Sequence, residues 1–333
     1  MSELIKDSHV CKRKKISELS MLSCDEQEQI KEQFNNTFAD YPRDKCVHQL
    51  FEEQVLKTPN KTAVIACDKT LTYDELNKLS NRIANSLIQR GIGSGDIVAF
   101  ALPRRSFLIA IMLGTLKSGA AYMPIDPAYP PERIDFMVED SGAKLLVTET
   151  NIAELLTTEN EENPNVKASP NDNFCILHTS GSTGMPKCAA IMHKNMVNFI
   201  FSNSFLLTNI KNIVAINTVT FDVFEMDTIF ALVLGKTCIL ASEEQQFVQS
   251  EFENMMSQAK HCLFWATPTK MLNYINNSLD KSFVKNIDCY VVGGEIVTPE
   301  FIDTVYRNNT DIEIYTVYGP TETLIYSTLV KIL

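Results

Sequence analysis

Residues 177–193 read LHTSGSTGMPKCAAIMH. Thr179, Ser180, Ser182 and Thr183 supply hydroxyls, Gly181 and Gly184 leave the backbone able to turn its N–H groups inward, and Lys187 closes the run with an ammonium. Backbone donors, hydroxyls and one fixed positive charge are what a loop needs to wrap an anionic polyphosphate. The pattern from Gly181, GSTGMPK, lacks the GK[ST] of a P-loop, and Pro186 opposes a helix starting at the lysine. An apolar run at 174–177 predicts a strand just before, so the loop hangs from a sheet edge. The same residues taken alone also make an ordinary polar inter-strand loop. A second grouping is TFDVFEMD at 220–227, where Asp222 stands between Phe221 and Val223. An acid in that company is costly to bury unpaired; a ligand ammonium would satisfy it, and an exposed helix N-cap is the other reading. A third is VYGPTET at 317–323. By itself it reads as a plain turn at Tyr318, Gly319 and Pro320 followed by a solvated acid, Glu322.

The elements that must hold these groups belong to a chain of 333 residues, long enough for one large or two medium domains. A net charge of −11 argues against nucleic acid or an anionic membrane surface as the main partner, so an anion site needs its own local donors. The nine cysteines form no CxxC pair and no metal-ligand spacing, and Cys188, Cys238, Cys262 and Cys289 fall inside apolar segments. Reduced, buried thiols in a cytosolic protein are the expectation. No apolar leader core and no run of membrane-spanning length is present in the sequence.

Residues 1–45 are polar, with a solvated basic run at 12–15, a short helix expected over 25–34, and a linker ending at 41–44. From Cys46 the rhythm changes to alternating helices and strands. Helices are predicted over 48–56, 106–116, 131–139, 194–205, 224–234, 247–259, 269–276 and 298–306. Thr72 and Glu75 have capping-box spacing, with Leu76, Leu79, Ile83 and Leu87 following at helical period. Strands are predicted over 62–66, 97–102, 121–125, 144–148, 213–217, 237–240, 262–266, 289–292 and 312–317. Gly91, Gly93 and Gly95 follow a helix and precede a strand, the reverse of a dinucleotide fingerprint. The stretch 151–173 is a polar surface connection. Alternation of this kind predicts an α/β fold with mostly parallel sheets.

Five stretches together resemble the core motifs of the adenylation domain of nonribosomal peptide synthetases, within the adenylate-forming superfamily. They are LTYDEL at 71–76, LKSGAAYMPIDP at 116–127, the 177–193 loop, TFDVFEMD and VYGPTET, in the family's order. ISELSMLS at 16–23 resembles the linker that follows a condensation domain. The resemblance implies a linker over 1–45 and, over 46–333, the large N-terminal subdomain of that fold, with sheets and helices in an αβαβα arrangement. It implies activation of an amino acid by ATP and Mg²⁺, followed by thioester loading of phosphopantetheine on a peptidyl carrier protein or domain. Carried over residue by residue, Thr179, Ser180, Gly181, Ser182, Thr183, Gly184 and Lys187 would meet the β- and γ-phosphates. Gly294, Glu295 and Tyr318 would meet the adenine, Thr321 the α-phosphate and Glu322 the metal, with Lys187, Thr321 and Glu322 as the catalytic set. Asp222 would hold the substrate α-amino group, which favours α-amino acids over the acids of acyl-CoA synthetases. Val223, Met226, Trp265, Val291, Gly293, Val317, Ile325 and Tyr326 would form the side-chain pocket. That set carries no charge and no amide, which suits a neutral, mainly apolar side chain.

The sequence departs from the pattern at Cys188, where glycine is usual, at Thr316, where asparagine is usual, and at Phe224 and Asp227 in the fourth motif. The motifs of the mobile C-terminal lid, with its catalytic lysine, are not among those matched, so the expectation is a fragment of the ligase, with a condensation domain or a separate lid among its partners. A binding remnant without turnover is the second expectation, and an acyl-CoA synthetase relative the third.

Overall fold

The computed structural model describes residue 15, residues 20–179 and residues 186–332. Two compact units arise, Met1–Asp40 and Tyr41–Leu333. In the first, Ser23 caps a short helix, Cys24–Glu28, with a reciprocal bond to Glu26, and the helix runs on into a π-helical turn over Gln29–Gln33. No residue of either segment is buried, so capping rather than packing defines it.

Thirteen strands are described in the second unit. They are β1 (Thr62–Ala66), β2 (Thr70–Thr72), β3 (Ile97–Ala101), β4 (Ala121–Ile125), β5 (Leu145–Thr148), β6 (Asn173–Thr179) and β7 (Lys187–Met192). There follow β8 (Asn212–Ala215), β9 (Thr237–Leu240), β10 (Cys262–Ala266), β11 (Ile287–Val292), β12 (Glu313–Tyr318) and β13 (Thr328–Ile332). One sheet has the order β5-β3-β4-β6-β7 and the other β13-β12-β11-β10-β8-β9-β1-β2. Pairing is parallel throughout except at the edges, where β7, β13 and β2 run antiparallel to their neighbours.

Strand alternation sorts the side chains into three cores. Val98, Phe100 and Tyr122 of the smaller sheet, and Ile213, Leu263, Trp265, Val291 and Val317 of the larger, enter one cluster lying between the sheets. Helices Val47–Lys57, Tyr73–Gln89, Ser106–Lys117 and His193–Ser202 contribute to it. The opposite face of the larger sheet, with Val214, Phe264, Tyr290 and Ile314, packs on helices carrying Phe252, Tyr274 and Phe301. The opposite face of the smaller sheet, with Ala99, Met123 and Ile176, packs on Met137. Both faces of each sheet are thus covered, which gives the five-layer α/β arrangement. It also explains why strands such as CLFWA in β10 read as unbroken apolar runs.

Thr72 and Glu75 form the expected capping box, and Ser106–Lys117 is buried on nearly every side. Lys117 ends that helix with its side chain wholly enclosed. Its ammonium donates to Glu52 at 2.8 Å, Asn77 at 2.7 Å and Asn81 at 2.8 Å. The 151–173 connection, expected as a plain surface segment, is tied along helix Tyr73–Gln89 by Asn81 to the Glu161 carbonyl and by Arg82 to those of Leu156 and Thr158. The helix expected over 247–259 is two, Glu243–Phe247 and Gln249–Gln258. Among the described residues no helix is long and apolar enough to cross a membrane.

Candidate active site

Parallel strands deliver their C-terminal ends to one side of a sheet, and the loops that follow can converge there. The loops after β8, β9, β10, β11 and β12 do so around a cleft of about 820 Å³. Asn217, Thr218, Phe221, Asp222 and Val223 come from the β8 end and Trp265, Thr267 and Lys270 from the β10 end. Gly293, Gly294, Glu295 and Ile296 follow β11, while Val317, Tyr318, Gly319, Thr321 and Ile325 belong to β12 and its turn. Ten residues expected at a site are therefore brought together: Asp222, Val223, Trp265, Gly293, Gly294, Glu295, Val317, Tyr318, Thr321 and Ile325.

Two glycines make the close approach possible. A Cβ on Gly293 would stand 2.7 Å from Val317 Cγ2, and one on Gly319 would stand 2.4 Å from the Tyr326 Cα. Tyr318, 77% exposed, presents its ring at the mouth, where Phe221, Phe247 and Ile296 are also exposed. A flat aromatic at an apolar rim is a stacking surface for a heteroaromatic ring.

Asp222 occupies the N-cap position of a helix that begins at Val223, yet its side chain makes no cap bond and only 4% of the residue is exposed. The exposed N-cap reading therefore fails. Its Oδ2 instead accepts from the Ile325 N–H at 3.0 Å. That N–H sits in a turn where Leu324 and Ile325 both have φ of 62°, a region that a β-branched residue rarely enters. Burial raises the Asp222 carboxyl above the usual range, while the Ile325 N–H and the Thr321 hydroxyl work the other way. The carboxylate thus fastens a strained turn and still faces the cleft.

The helix that starts at Val223 runs on into a π-helical turn, Met226–Phe230, and together they carry two further acids into the interior, Glu225 from the first turn and Asp227 from the π-helical one. Glu225 is fully buried; the Tyr122 hydroxyl donates to its Oε2, and its Oε1 has no partner among the described residues. Burial pushes its carboxyl up to about 8, with Asp222 and Asp227 adding repulsion. Asp227 is pushed up by burial to about 7, against the pull of Asn217, whose backbone and side-chain N–H groups donate to it at 3.3 and 2.9 Å. Arg104 lies close by, donating to the carbonyls of Ala241 and Asn217 at 2.6 Å each. Lys270, on the cleft wall, donates to the Ile216 carbonyl at 2.7 Å; burial and the Arg104 charge push its ammonium down to about 8.

The remaining expected residues lie elsewhere. Met226 and Val291 are wholly buried and Tyr326 nearly so, behind the wall rather than on the cleft lining. The Tyr326 hydroxyl donates to Asn203 at 2.8 Å and its ring packs on Trp265 and Phe199. Thr179 and Lys187 face each other across β6 and β7, away from the cleft lining, with Lys187 exposed. Glu322 is exposed in the turn Thr321–Thr323 and is likewise off the lining. Ser180, Gly181, Ser182, Thr183 and Gly184 lie outside the described residues. Cys188, expected among the buried thiols, is exposed, because β7 is an edge strand.

A family model described as an AMP-binding enzyme matches residues 51–332. The chain belongs to that family. It is similar to gramicidin S synthase 1 of Brevibacillus brevis, 33% identical over 324 residues that make up 91% of this chain and 29% of that protein. It is also similar to tyrocidine synthase 3 of Brevibacillus parabrevis, at 30% over 348 residues, 98% of this chain and 5% of that one. The chain thus spans a minor part of the curated relatives it matches. A nonribosomal peptide synthetase, FmoA3, in an alpha-methyl-L-serine-AMP bound form superposes with a TM-score of 0.86 at 23% identity, over 94% of this chain and 37% of that one. The N-terminal subdomain of Klebsiella oxytoca NpsA, in complex with 3-hydroxybenzoyl-AMSN, gives 0.78 at 23%, over 87% and 76%. At those identities the likeness establishes the fold.

Sequence reasoning missed Lys270, Asn217, Thr218, Gln246, Phe247 and Thr267 of this cleft. They make its lining more polar than the expected set. Lys270 gives no local signal, because a lysine within helix Pro268–Asn277 reads as solvated until the sheet end beside it is known.

Proposed function

We propose that this AMP-binding enzyme is the N-terminal subdomain of an adenylation domain, linked through residues 1–45 to a preceding module. It activates an amino acid as its aminoacyl-AMP with release of pyrophosphate, for transfer to phosphopantetheine on a peptidyl carrier. The observation that carries this reading is the buried Asp222 carboxylate on the wall of a mainly apolar cleft at the sheet switch. A substrate α-ammonium would pair with it, leaving the substrate carboxylate free to attack the α-phosphate. Tyr318 would stack on the adenine, with Gly294 and Glu295 beside it, and Thr321 would donate to the α-phosphate. Glu295 is already fixed by the Thr269 hydroxyl at 2.6 Å and the Thr269 N–H at 3.1 Å. The run 179–187 and Lys187 would meet the outer phosphates. Mg²⁺ supplies charge neutralisation on the phosphate oxygens when bound, and Glu322, an exposed carboxylate with no ion-pair partner among the described residues, is a fitting ligand.

Val223, Trp265, Gly293, Val317 and Ile325 support a neutral, mainly apolar substrate side chain. Met226, Val291 and Tyr326 would set its depth from behind. The setting fits a cytosolic synthetase. Asp222 opposes the acyl-CoA synthetase alternative, since fatty and aryl acids bring no ammonium to it.

The test is amino-acid-dependent ATP–pyrophosphate exchange on the purified chain, scanned over neutral amino acids, with Asp222→Ala and Lys187→Ala beside it. Exchange that both substitutions abolish supports the reading and names the substrate. Exchange that survives Asp222→Ala removes the α-amino role. No exchange, with ATP still raising Tm, supports binding without turnover, the reading that Cys188 beside Lys187 favours.

A further inference from the structure

Three lone-pair-bearing atoms of different chemistry converge where the β6–β7 hairpin meets helix Pro131–Ser141. His178 and Cys188 are direct cross-strand partners, and Asp140 comes from the last turn of the helix. Cys188 Sγ lies 3.1 Å from His178 Nε2 and 3.4 Å from Asp140 Oδ2, and His178 Nε2 lies 3.4 Å from Asp140 Oδ2. The three atoms form a near-equilateral triangle, each residue offering one ligand atom to a common point.

That triangle has the dimensions of a face of a coordination tetrahedron. Bonds of about 2.3 Å to sulfur, about 2.0 Å to imidazole and about 2.0–2.2 Å to carboxylate, at tetrahedral angles, separate the ligand atoms by about 3.3–3.6 Å. The contraction from those values to 3.1–3.4 Å is small, and a few tenths of an ångström of side-chain movement would admit an ion. The donor set is selective too: thiolate, imidazole and carboxylate suit zinc and its borderline neighbours, whereas magnesium and calcium prefer oxygen alone. The imidazole is held in place, its side chain only 2% exposed. Cys188 and Asp140 are exposed, so an ion can enter and a fourth position is open to water or a ligand.

We propose that Asp140, His178 and Cys188 bind one zinc-type divalent ion at the base of the Thr179–Lys187 hairpin connection. Binding replaces the thiol proton, which passes to solvent, with a metal–sulfur bond. The site is separate from the cleft and does not depend on amino-acid activation there. Its place is informative: His178–Cys188 is the rung next to Thr179–Lys187. A bound ion would pin that rung, and with it the neighbouring Thr179–Lys187 pair, to the helix. Scanning for cysteine spacing cannot find such a site, because its ligands come from positions 140, 178 and 188 and meet only through strand pairing. The ring's Nδ1 has no hydrogen-bond partner among the described residues, so the usual outer-shell support is missing and moderate rather than picomolar affinity follows.

The experiment uses the full chain with Zn²⁺ in competition with a chromophoric chelator, and with Co²⁺ as a spectroscopic substitute. One ion per chain and a thiolate-to-cobalt charge-transfer band are expected. Cys188→Gly should abolish the band, and His178→Gln and Asp140→Asn should each weaken Zn²⁺ by about tenfold or more. Urea midpoints matching the parent would show that the variants are folded. Asp140→Asn, at an exposed helix end, serves if a hairpin variant does not fold. An undiminished band in Cys188→Gly would assign the ion to another thiol such as exposed Cys24 or Cys67 and overturn the proposal, as would unchanged Zn²⁺ affinity in Asp140→Asn.

Discussion

Replacing Glu225 by glutamine should flatten the dependence of stability on pH. The side chain is wholly buried, one oxygen accepts a hydrogen bond from the Tyr122 hydroxyl and the other has no partner among the described residues. Burial raises the folded-state carboxyl from an ordinary 4.5 to about 8. A carboxyl raised in the folded state contributes stability that is fully present below its unfolded value and is lost as pH rises through the folded one. Between those limits the folded chain holds one more proton at this site than the unfolded chain, so unfolding free energy falls by about 1.4 kcal/mol per pH unit. From about pH 5.5 to 7.5 the loss amounts to about 3 kcal/mol. Glutamine carries no titratable proton and has nearly the same shape, so the variant should lack this slope. Asp227, raised to about 7, contributes to both proteins and largely cancels in the comparison. Trp265 is the one tryptophan of the sequence and is buried at the cleft, which makes urea unfolding followed by its fluorescence a direct assay. Parallel stability curves for parent and variant across that range would mean that Glu225 is ionised in the fold, and would refute the reasoning.

On the acid side the sign reverses. Burial lowers His193 to about 4 and His48 to about 3, and His193 Nδ1 accepts the Val47 N–H at 3.2 Å, a bond that protonation removes. Their contribution to stability should fall as pH drops below about 6.5, opposing the gain from Glu225 and Asp227, and His193→Gln should change the parent's slope by roughly one proton in the same assay; an unchanged slope would mean that His193 is not held neutral in the fold. Gly319→Ala should cost about 1–3 kcal/mol in urea unfolding, because the new methyl would meet backbone atoms of Tyr326 and Ser327. An unchanged midpoint would show that the turn opens without penalty.

Much of this architecture is legible in the chain because strands buried on both faces cannot hide. The strands at 121–125, 237–240 and 262–266 stand where apolar runs bounded by turns put them, and the helix at 73–89 starts where its capping box does. The antiparallel edge strands were not legible, whereas the parallel edge strand β5 was. β2 is three residues long, and β7 and β13 are largely exposed, so partner backbone rather than side-chain pattern defines them. Cys188 was misread for that reason: an apolar neighbourhood in sequence became an exposed edge. Asp222 was legible because an acid between Phe221 and Val223 needs a reason. Arg104 was not, since its partners are the carbonyls of Ala215, Asn217 and Ala241, more than 100 residues away. Met226 and Val291 follow the expected motif spacing, but their side chains turn into the core behind the wall.

Where β1 sits constrains how the chain can be made. β1 lies between β2 and β9, and Ala66 pairs with Leu240. The same seam is closed by the Tyr73 hydroxyl on the Leu232 carbonyl and the Thr237 hydroxyl on the Thr62 carbonyl. Roughly 170 residues must therefore follow β1 out of the ribosome before its partner exists, a wait of roughly 10–35 s at ordinary synthesis rates. During that interval the β1–β2 hairpin presents an unpaired parallel edge, while the smaller sheet, complete by Met192, can already form. The smaller sheet is thus the natural early folding unit, and the nascent β1 edge is the interval's main aggregation hazard, the one a chaperone would have to cover.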